Sequence, residues 1–305
     1  MSIEFNSLAE IGDMERIGAL LASDPNLVFS KGSHGRTALH LAAYWARKEV
    51  AELLLASRAY VNARDDGGLT PLHSSVSTGA VLLCEFEYSG GIRDKEMVEL
   101  LLAKHADVDA RDNSGRAPLH YASINGDSDV AELLLAHKAD VHAEDNGGHT
   151  PLYYAARPTM VGLLLSHGAD VNARANDGTT PLHGAVLADK NNVAVFLLRK
   201  GADVNAKDND GDTPWRLAEM QRNADMVKLL RQHGAGEGTS MQSTEKPKGR
   251  RSACICEQCG TTIKMEEKPY MSKDRRIVCR SCWLRLASGE FASSELEKRK
   301  PKYFG

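Results

Sequence analysis

The chain has 305 residues with 38 Lys and Arg against 41 Asp and Glu, a formal net charge of −3 that conceals an uneven distribution. Residues 1–244 hold 23 basic and 33 acidic side chains, whereas 245–305 hold 15 and 8. No stretch approaches the roughly 18 apolar residues of a membrane span, and the opening Met1-Ser-Ile-Glu-Phe-Asn6 is no secretory leader, so a soluble, cytoplasmic protein without a membrane partner is expected. Of the six Cys, five fall between 254 and 282. That clustering argues for metal ligation in a reducing compartment over a disulfide framework.

Residues 4–33 read as two helices, with Leu8, Ala9, Ile17, Leu20 and Leu21 apolar and a break at Gly12-Asp13. The tetrad Thr37-Ala-Leu-His40 then opens a second pair, with Leu39, Leu41, Ala42, Val50, Leu53 and Leu54 at helical spacing and a break near Ala46 and Arg47. The stretch from Ala59 to His73 follows, and it returns from Ala106 to His120, Ala139 to Tyr153, Ala169 to His183 and Ala202 to Arg216. The Thr-Pro-Leu-His tetrads or their variants start at 37, 70, 117, 150, 180 and 213, with spacings of 33, 47, 33, 30 and 33.

Each tetrad reads as a helix start. The Thr70 hydroxyl can accept from an orphan backbone N–H, and Pro71 fits the first helical position with φ already set. Upstream, Asp65-Asp-Gly-Gly68 tolerates a tight turn with φ > 0, flanked by Val61 and Ala63 as a short extended arm.

A 33-residue period with this tetrad resembles the ankyrin repeat. The resemblance implies an all-α solenoid of hairpin tip plus helix pair over residues 1–236, about seven units, because such a unit has apolar surface on both sides and must stack. Residues 4–33 lack the tetrad and read as the leading cap. The last unit, with Trp215 and Arg216 in place of Leu and His and with Glu219, Arg222, Lys228 and Arg231 in its helices, reads as the trailing cap. The resemblance also implies that a protein partner binds the hairpin tips and first helices. Arg36, Tyr44, Trp45, Leu69, Arg116, Ile124 and His149 hold the aromatic, apolar, Arg and His positions of that surface, a composition that binding hot spots favour. The recurring His40, His73, His120 and His183 are implied to be structural, bonding locally to backbone and to the tetrad Thr. One per unit spaces them too widely for one metal shell.

Three departures stand out. Arg58, His105 and Lys138 occupy the turn after the second helix, where Gly168, Gly201 and Gly234 stand in later units, and a non-Gly residue in the left-handed region costs about 1 kcal/mol. They are tolerated drift with solvated side chains, or a basic row for an acidic partner. The spacing of 47 contains an insertion at 81–94, whose deletion restores the period. It either packs locally or offers an apolar contact, and its Cys84 reads as a small buried apolar residue. The unit of 30 has lost three residues near Arg157-Pro-Thr159, where Pro158 forces an early helix end.

Residues 237–253 are Gly, Ser, Thr, Lys and Pro with few apolar residues and read as a flexible linker; the run Gly234-Ala-Gly236-Glu-Gly238 precedes no helix start and is no dinucleotide loop. A small zinc-binding α+β domain is expected at 254–291, and a basic tail at 292–305. Cys256, Cys259, Cys279 and Cys282 form two Cys-x-x-Cys pairs whose separation fits a closed four-thiolate Zn²⁺ site, structural and not catalytic, with Cys254 an alternative to Cys256. Thr262 to Ile277 can form a hairpin and Trp283, Leu284 and Leu286 start a helix, an arrangement that resembles a treble clef or a zinc ribbon. The surrounding cations, among them Arg250, Arg251, Arg275 and Arg276, suit a solvated tail, a protein contact or a phosphate backbone.

These features point to a non-enzymatic scaffold for a protein partner with a structural Zn²⁺ module. The alternative is a nucleic-acid-associated regulator that uses the basic C-terminal region while the solenoid recruits a protein. No nucleophile elbow, phosphate loop or open metal site is present, and no small-molecule substrate is expected.

Overall fold

The computed structural model describes residues 2–77 and 95–236, together with four two-residue strands between 254 and 278. The insertion 81–94 with Cys84, the linker, the Cys256, Cys259, Cys279 and Cys282 side chains, the expected helix after Cys282 and the basic tail lie outside the described residues.

Fourteen α-helices among the described residues form seven pairs: α1 (Ser2–Ile11) with α2 (Met14–Ser23), α3 (Ala38–Tyr44) with α4 (Lys48–Ala56), α5 (Pro71–Val76) with α6 (Lys95–Ala103) and α7 (Pro118–Asn125) with α8 (Ser128–Ala136). They continue as α9 (Pro151–Tyr154) with α10 (Pro158–Ser166), α11 (Pro181–Leu187) with α12 (Asn191–Arg199) and α13 (Pro214–Met220) with α14 (Ala224–Gln232). From α3 on, first helices pack on first helices of neighbouring pairs and second helices on second helices. Helix α6 packs on α5 as its pair partner although the insertion separates them in sequence. The tetrad leucines Leu39, Leu72, Leu119, Leu152 and Leu182 are at most 1% exposed, and Leu54, Leu101, Leu134, Leu164 and Leu197 of the second helices are fully buried. Each contributes roughly 1.5–3 kcal/mol through burial. The core is therefore a continuous sheet of leucines between the two helix layers, renewed once per unit.

The six junctions after the second helices α4, α6, α8, α10, α12 and α14 are left-handed, whereas Asp24 after α2 is extended with φ −142°. Arg58, His105 and Lys138 have φ of 68°, 64° and 68°, and Gly168, Gly201 and Gly234 have 92°, 92° and 90°. The residue after each closes the helix end, as when the Ala139 N–H donates to the Leu134 carbonyl at 3.0 Å. The arms differ from the expected extended pair. Val61 lies in a turn, the Ala63 N–H donates to the Tyr60 carbonyl, and within the solenoid the bridge Lys31–Thr37 is the one β pairing among the described residues. The tip itself is a tight turn, closed by Asp65 N–H to Leu69 O at 3.0 Å and Gly68 N–H to Asp65 O at 2.9 Å.

The shortened unit is accommodated by borrowed donors. Helix α9 stops after four residues, and Pro158 starts α10 at its first position, where its missing N–H costs nothing. Lys190 of the following unit donates Nζ to the Tyr154 and Ala155 carbonyls at 3.2 and 3.4 Å, and Ala156 N–H donates to Ser123 O at 3.0 Å. Burial pushes the Lys190 pKa down.

A second unit contains β1 (Cys254–Ile255), β2 (Thr262–Ile263), β3 (Tyr270–Met271) and β4 (Ile277–Val278). β1 pairs antiparallel with β2, and β3 with β4. Of the hairpin expected from Thr262 to Ile277, the antiparallel pairing is found between Tyr270-Met271 and Ile277-Val278, whereas Thr262 and Ile263 pair back onto Cys254 and Ile255.

Candidate protein-binding surface

The rigidity of the solenoid begins with its buried histidines. Thr37 N–H donates to His40 Nδ1 at 3.1 Å, so the ring proton sits on Nε2 and is given to the Leu69 carbonyl of the next unit at 3.0 Å. The same geometry carries His73 to the Arg116 carbonyl, His120 to His149 and His183 to Asp212, at 3.1, 3.1 and 3.2 Å. Desolvation lowers the pKa of all four, to about 4 for His40 and His120, with the backbone bond to the next unit opposing it. Each ring is therefore a neutral staple between units. In the last unit Arg216 stands at the His position and is held by Asp212 at 2.7 Å.

The tips are joined by a ladder of side-chain amides. Asn113 Nδ2 donates to Asp66 O, Asn146 to Asn113 O, Asn176 to Asn146 O and Asn209 to Asn176 O, at 2.9, 3.0, 3.2 and 2.9 Å. The same residues donate their backbone N–H groups across the junction, as in Asn113 to Gly67 O at 2.9 Å. Each of these four tips is thus tied to the one before it by two bonds, and the Asp66 tip to the first through its N–H to His34 O at 2.9 Å, which fixes the spacing of whatever side chains the tips present.

On this frame the structure brings Arg36, Tyr44 and Trp45 together. The Tyr44 and Trp45 rings meet edge to face with centroids 5.2 Å apart, and both are half-buried. Burial pushes the Tyr44 pKa up, and the Arg36 guanidinium opposes that shift. Arg36 Nε lies 3.6 Å from the buried Asp65 carboxylate, which also accepts the Gly67 and Leu69 N–H groups. Ile124 is half-buried two units further on, and His149 one unit beyond that.

Two of the anticipated surface residues face inward. Leu69 is 4% and Arg116 6% exposed. Leu69 follows a tip whose chain folds back through the Asp65 bonds. Arg116 is drawn into a polar cluster between units: its Nε lies 3.7 Å from Asp145 Oδ2, its Nη2 donates to Tyr154 Oη at 3.3 Å, and its guanidinium lies over the Tyr154 ring at 5.0 Å. Burial opposes the Arg116 charge, but Tyr154, Tyr121 and Asp145 hold its pKa above the ordinary value. Burial likewise pushes the Asp145 carboxyl up, and hydrogen bonds from His149 and Tyr154 outweigh it and hold it below the usual carboxylate range. Tyr121 donates to Asp112 Oδ2 at 2.5 Å in the same way one unit earlier.

The partners of Arg116 and His149 escaped the sequence reading. Tyr153 replaces a tetrad His and packs on His149 with centroids 4.1 Å apart, and Gly184 beneath it leaves room for the ring. The legible signal was the repeated Tyr one residue past the tetrad, nine residues after Asp112 and after Asp145. Among the described residues no group of three or more His, Cys, Asp and Glu side chains could hold a metal ion, and no helix is long and apolar enough to cross a membrane.

Comparison with known proteins places this frame. A single-repeat ankyrin sequence model matches residues 34–66, and a three-copy ankyrin model matches 88–175 and 158–241, the latter by itself just over half of the chain. Among curated proteins, the Xenopus laevis ankyrin repeat domain-containing protein 13C-A is 41% identical over 68 residues, 22% of this chain and 13% of that protein. The Drosophila melanogaster neurogenic locus Notch protein is 42% identical over 65 residues, 21% of this chain and 2% of that protein. The chain thus spans only a small fraction of the curated relatives it matches. Among solved structures, the ankyrin repeat domain of Bcl-3, described as a unique member of the IkappaB protein family, superposes with a TM-score of 0.57 at 27% identity, covering 74% of this chain and 97% of that one. With the stacked helix pairs, the His staples and these matches in agreement, the chain belongs to the ankyrin repeat family.

Proposed function

We propose that the chain is a non-enzymatic scaffold whose solenoid holds a protein partner across its tips and first helices, with Arg36, Tyr44 and Trp45 as the anchor and Ile124 and His149 extending the contact. Ankyrin repeat proteins are in general protein-interaction scaffolds. The observation that carries the reading is the half-buried, edge-to-face Tyr44–Trp45 pair beside an Arg, fixed on units that cannot slide past one another. Rigid aromatic and Arg groups lose little entropy on binding and dominate interface energetics. Leu69 and Arg116 support the surface from beneath. Capture of a partner from nuclease-treated cell extract by the full chain, and its loss with Tyr44→Ala and Trp45→Ala at unchanged melting temperature, is the expected result. Retention of the same partner by both variants moves the anchor elsewhere, and capture only before nuclease treatment favours the nucleic-acid-associated alternative.

Cys256, Cys259, Cys279 and Cys282 are proposed to hold a structural Zn²⁺. Two observations support this: the sequence linking β1 to β2 contains the first Cys pair, and the second pair begins directly after β4. A closed thiolate set leaves no position for a reactive water. One zinc per chain, lost with Cys279→Ser, is expected from metal analysis. No zinc in the intact chain ends the proposal.

A further inference from the structure

The first unit junction differs from the later ones in the pair of residues at its base. At three of the four later bases the side chain of one unit accepts the backbone N–H of the next: Asn62 Oδ1 from Asp107 at 2.8 Å, Asp109 from Asp140 at 3.0 Å and Asn172 from Asp203 at 2.8 Å. In the repeat register Phe29 stands where Asn62, Asp109 and Asn172 stand, and Tyr60 where Asp107, Asp140, Asp170 and Asp203 stand. The hydrogen bond is replaced by a ring contact, with centroids 4.7 Å apart and planes tilted by 35°. That contact consumes little of either ring. Tyr60 remains 68% and Phe29 38% exposed, among the most exposed large apolar side chains of the described residues.

The charge around the rings also departs from the later junctions. The acid that the other bases carry is absent, and Arg58 stands two residues before Tyr60 in the left-handed conformation, with φ 68°. Lys31, two residues after Phe29, donates Nζ to the Arg64 carbonyl at 2.9 Å, whereas the Arg64 guanidinium reaches to Gly68 at the tip. Arg58, Lys31 and Arg64 are exposed. Of the acids in these segments, Asp65 is buried against Arg36, Asp24 accepts the Asn26 N–H, and Asp66 lies exposed at the tip. Two solvent-facing rings, each with an exposed cation two residues away in the chain, suit an apolar or aromatic side chain set between carboxylates, which Arg binds through paired hydrogen bonds.

We infer that Phe29 and Tyr60, with Lys31 and Arg58, form a docking patch for an acidic linear segment of a protein partner, seating an aromatic or apolar side chain on the ring pair. The inference rests on the scaffold reading but uses residues separate from Tyr44 and Trp45. The later units supply the decisive variant. Phe29→Asn with Tyr60→Asp writes into the first junction the residues that hold the others together, so the fold is kept while the patch is removed.

The test is fluorescence anisotropy of the full chain with a dye-labelled peptide of Glu and Asp carrying one central Phe, and with its Lys counterpart. Saturable binding of the acidic peptide is expected, weakened by added salt and reduced at least about tenfold in the Phe29→Asn, Tyr60→Asp variant but unchanged in Tyr44→Ala, Trp45→Ala. The Lys peptide should not bind. Absence of acidic-peptide binding overturns the inference. Undiminished binding in the Phe29, Tyr60 variant also overturns it, because the peptide then rests on other cations of the chain. Either failure, combined with a Tyr44- and Trp45-dependent protein partner, leaves the scaffold reading standing.

Discussion

His73 Nε2 donates to the Arg116 carbonyl at 3.1 Å across 43 residues, whereas the equivalent bonds of His40, His120 and His183 each cross 29. The geometry at the two ends is the same, so the 14 extra residues, 81–94, enter between α5 and α6 without moving the staple. Helix α6 accordingly packs on α5 and on both α4 and α8, as the other second helices do on their neighbours.

Deletion of 81–94 should therefore leave a folded solenoid. The shorter connection lowers the closure entropy of that unit by a fraction of a kcal/mol to about 1 kcal/mol. Circular dichroism and thermal melting are expected to match the full chain within a few degrees. Loss of helical signal would mean that the insertion belongs to the core of its unit.

The staples make the fold acid-sensitive. A neutral His with its pKa lowered from 6.5 to about 4 binds its proton more weakly in the folded chain than in the unfolded one. Between these values the unfolded state holds more protons, so stability rises with pH and falls as pH drops from about 6.5 to about 4. For His120 the shift corresponds to on the order of 3 kcal/mol, lost fully once pH passes below the folded value. Protonation must also place a proton on Nδ1, where Ala117 N–H already points at 3.0 Å. Urea midpoints across this range should decline steeply, and His120→Ala, which leaves the buried His149 carbonyl and Ala117 N–H without the ring, should lower stability by about 2–4 kcal/mol while flattening the decline.

The left-handed junctions yield a stabilising change. Lys138 is exposed with φ 68°, a conformation Gly adopts without the Cβ clash. Lys138→Gly should raise stability by about 0.5 kcal/mol, since relief of about 1 kcal/mol is offset in part by the added freedom of the unfolded chain. A fall in the denaturation midpoint would show that the Lys138 stem is covering apolar surface.

Most of the frame could be read directly from the residues. Thr70, Pro71 and His73 carry their own local chemistry, and a helix start, a cap and a ring bonded to the tetrad Thr follow from them, while the neutrality of the ring comes from its burial. The acceptor of the ring proton is a carbonyl of the next unit, fixed only by stacking, so the staple was legible as local and not as a bond between units. Leu69 and Arg116 failed as surface residues for a related reason. Their register places them beside the tip, but whether such a side chain reaches outward depends on what the next unit offers. Asp145 and Tyr154 offer Arg116 a charge and a ring, while Arg36, its side chain 17% exposed, stays partly open beside Tyr44. Phe29 was hidden because it lies in the segment without a tetrad, and its ring partner is 31 residues away.

Arg116 permits a separation of structural from binding roles. It is held by Asp145, whose carboxylate also accepts the Gly147 and His149 N–H groups and the Tyr154 hydroxyl at 2.8, 3.0 and 2.6 Å. Removing one member of a buried pair costs about 3–5 kcal/mol when the other is left without compensation. Because Asp145 keeps these donors, Arg116→Ala should cost less, about 2–3 kcal/mol, and Arg116→Lys should recover only part of it, since an ammonium cannot reproduce both the contact with Asp145 and the stacking on Tyr154. Arg116→Ala should weaken the junction of the fourth and fifth helix pairs, seen as faster amide exchange in α7 and α9, and partner affinity measured well below the melting temperature should change little. The reverse pattern, unchanged exchange with lost affinity, would return Arg116 to the binding surface and imply that the Asp145 and Tyr154 contacts open when the partner arrives.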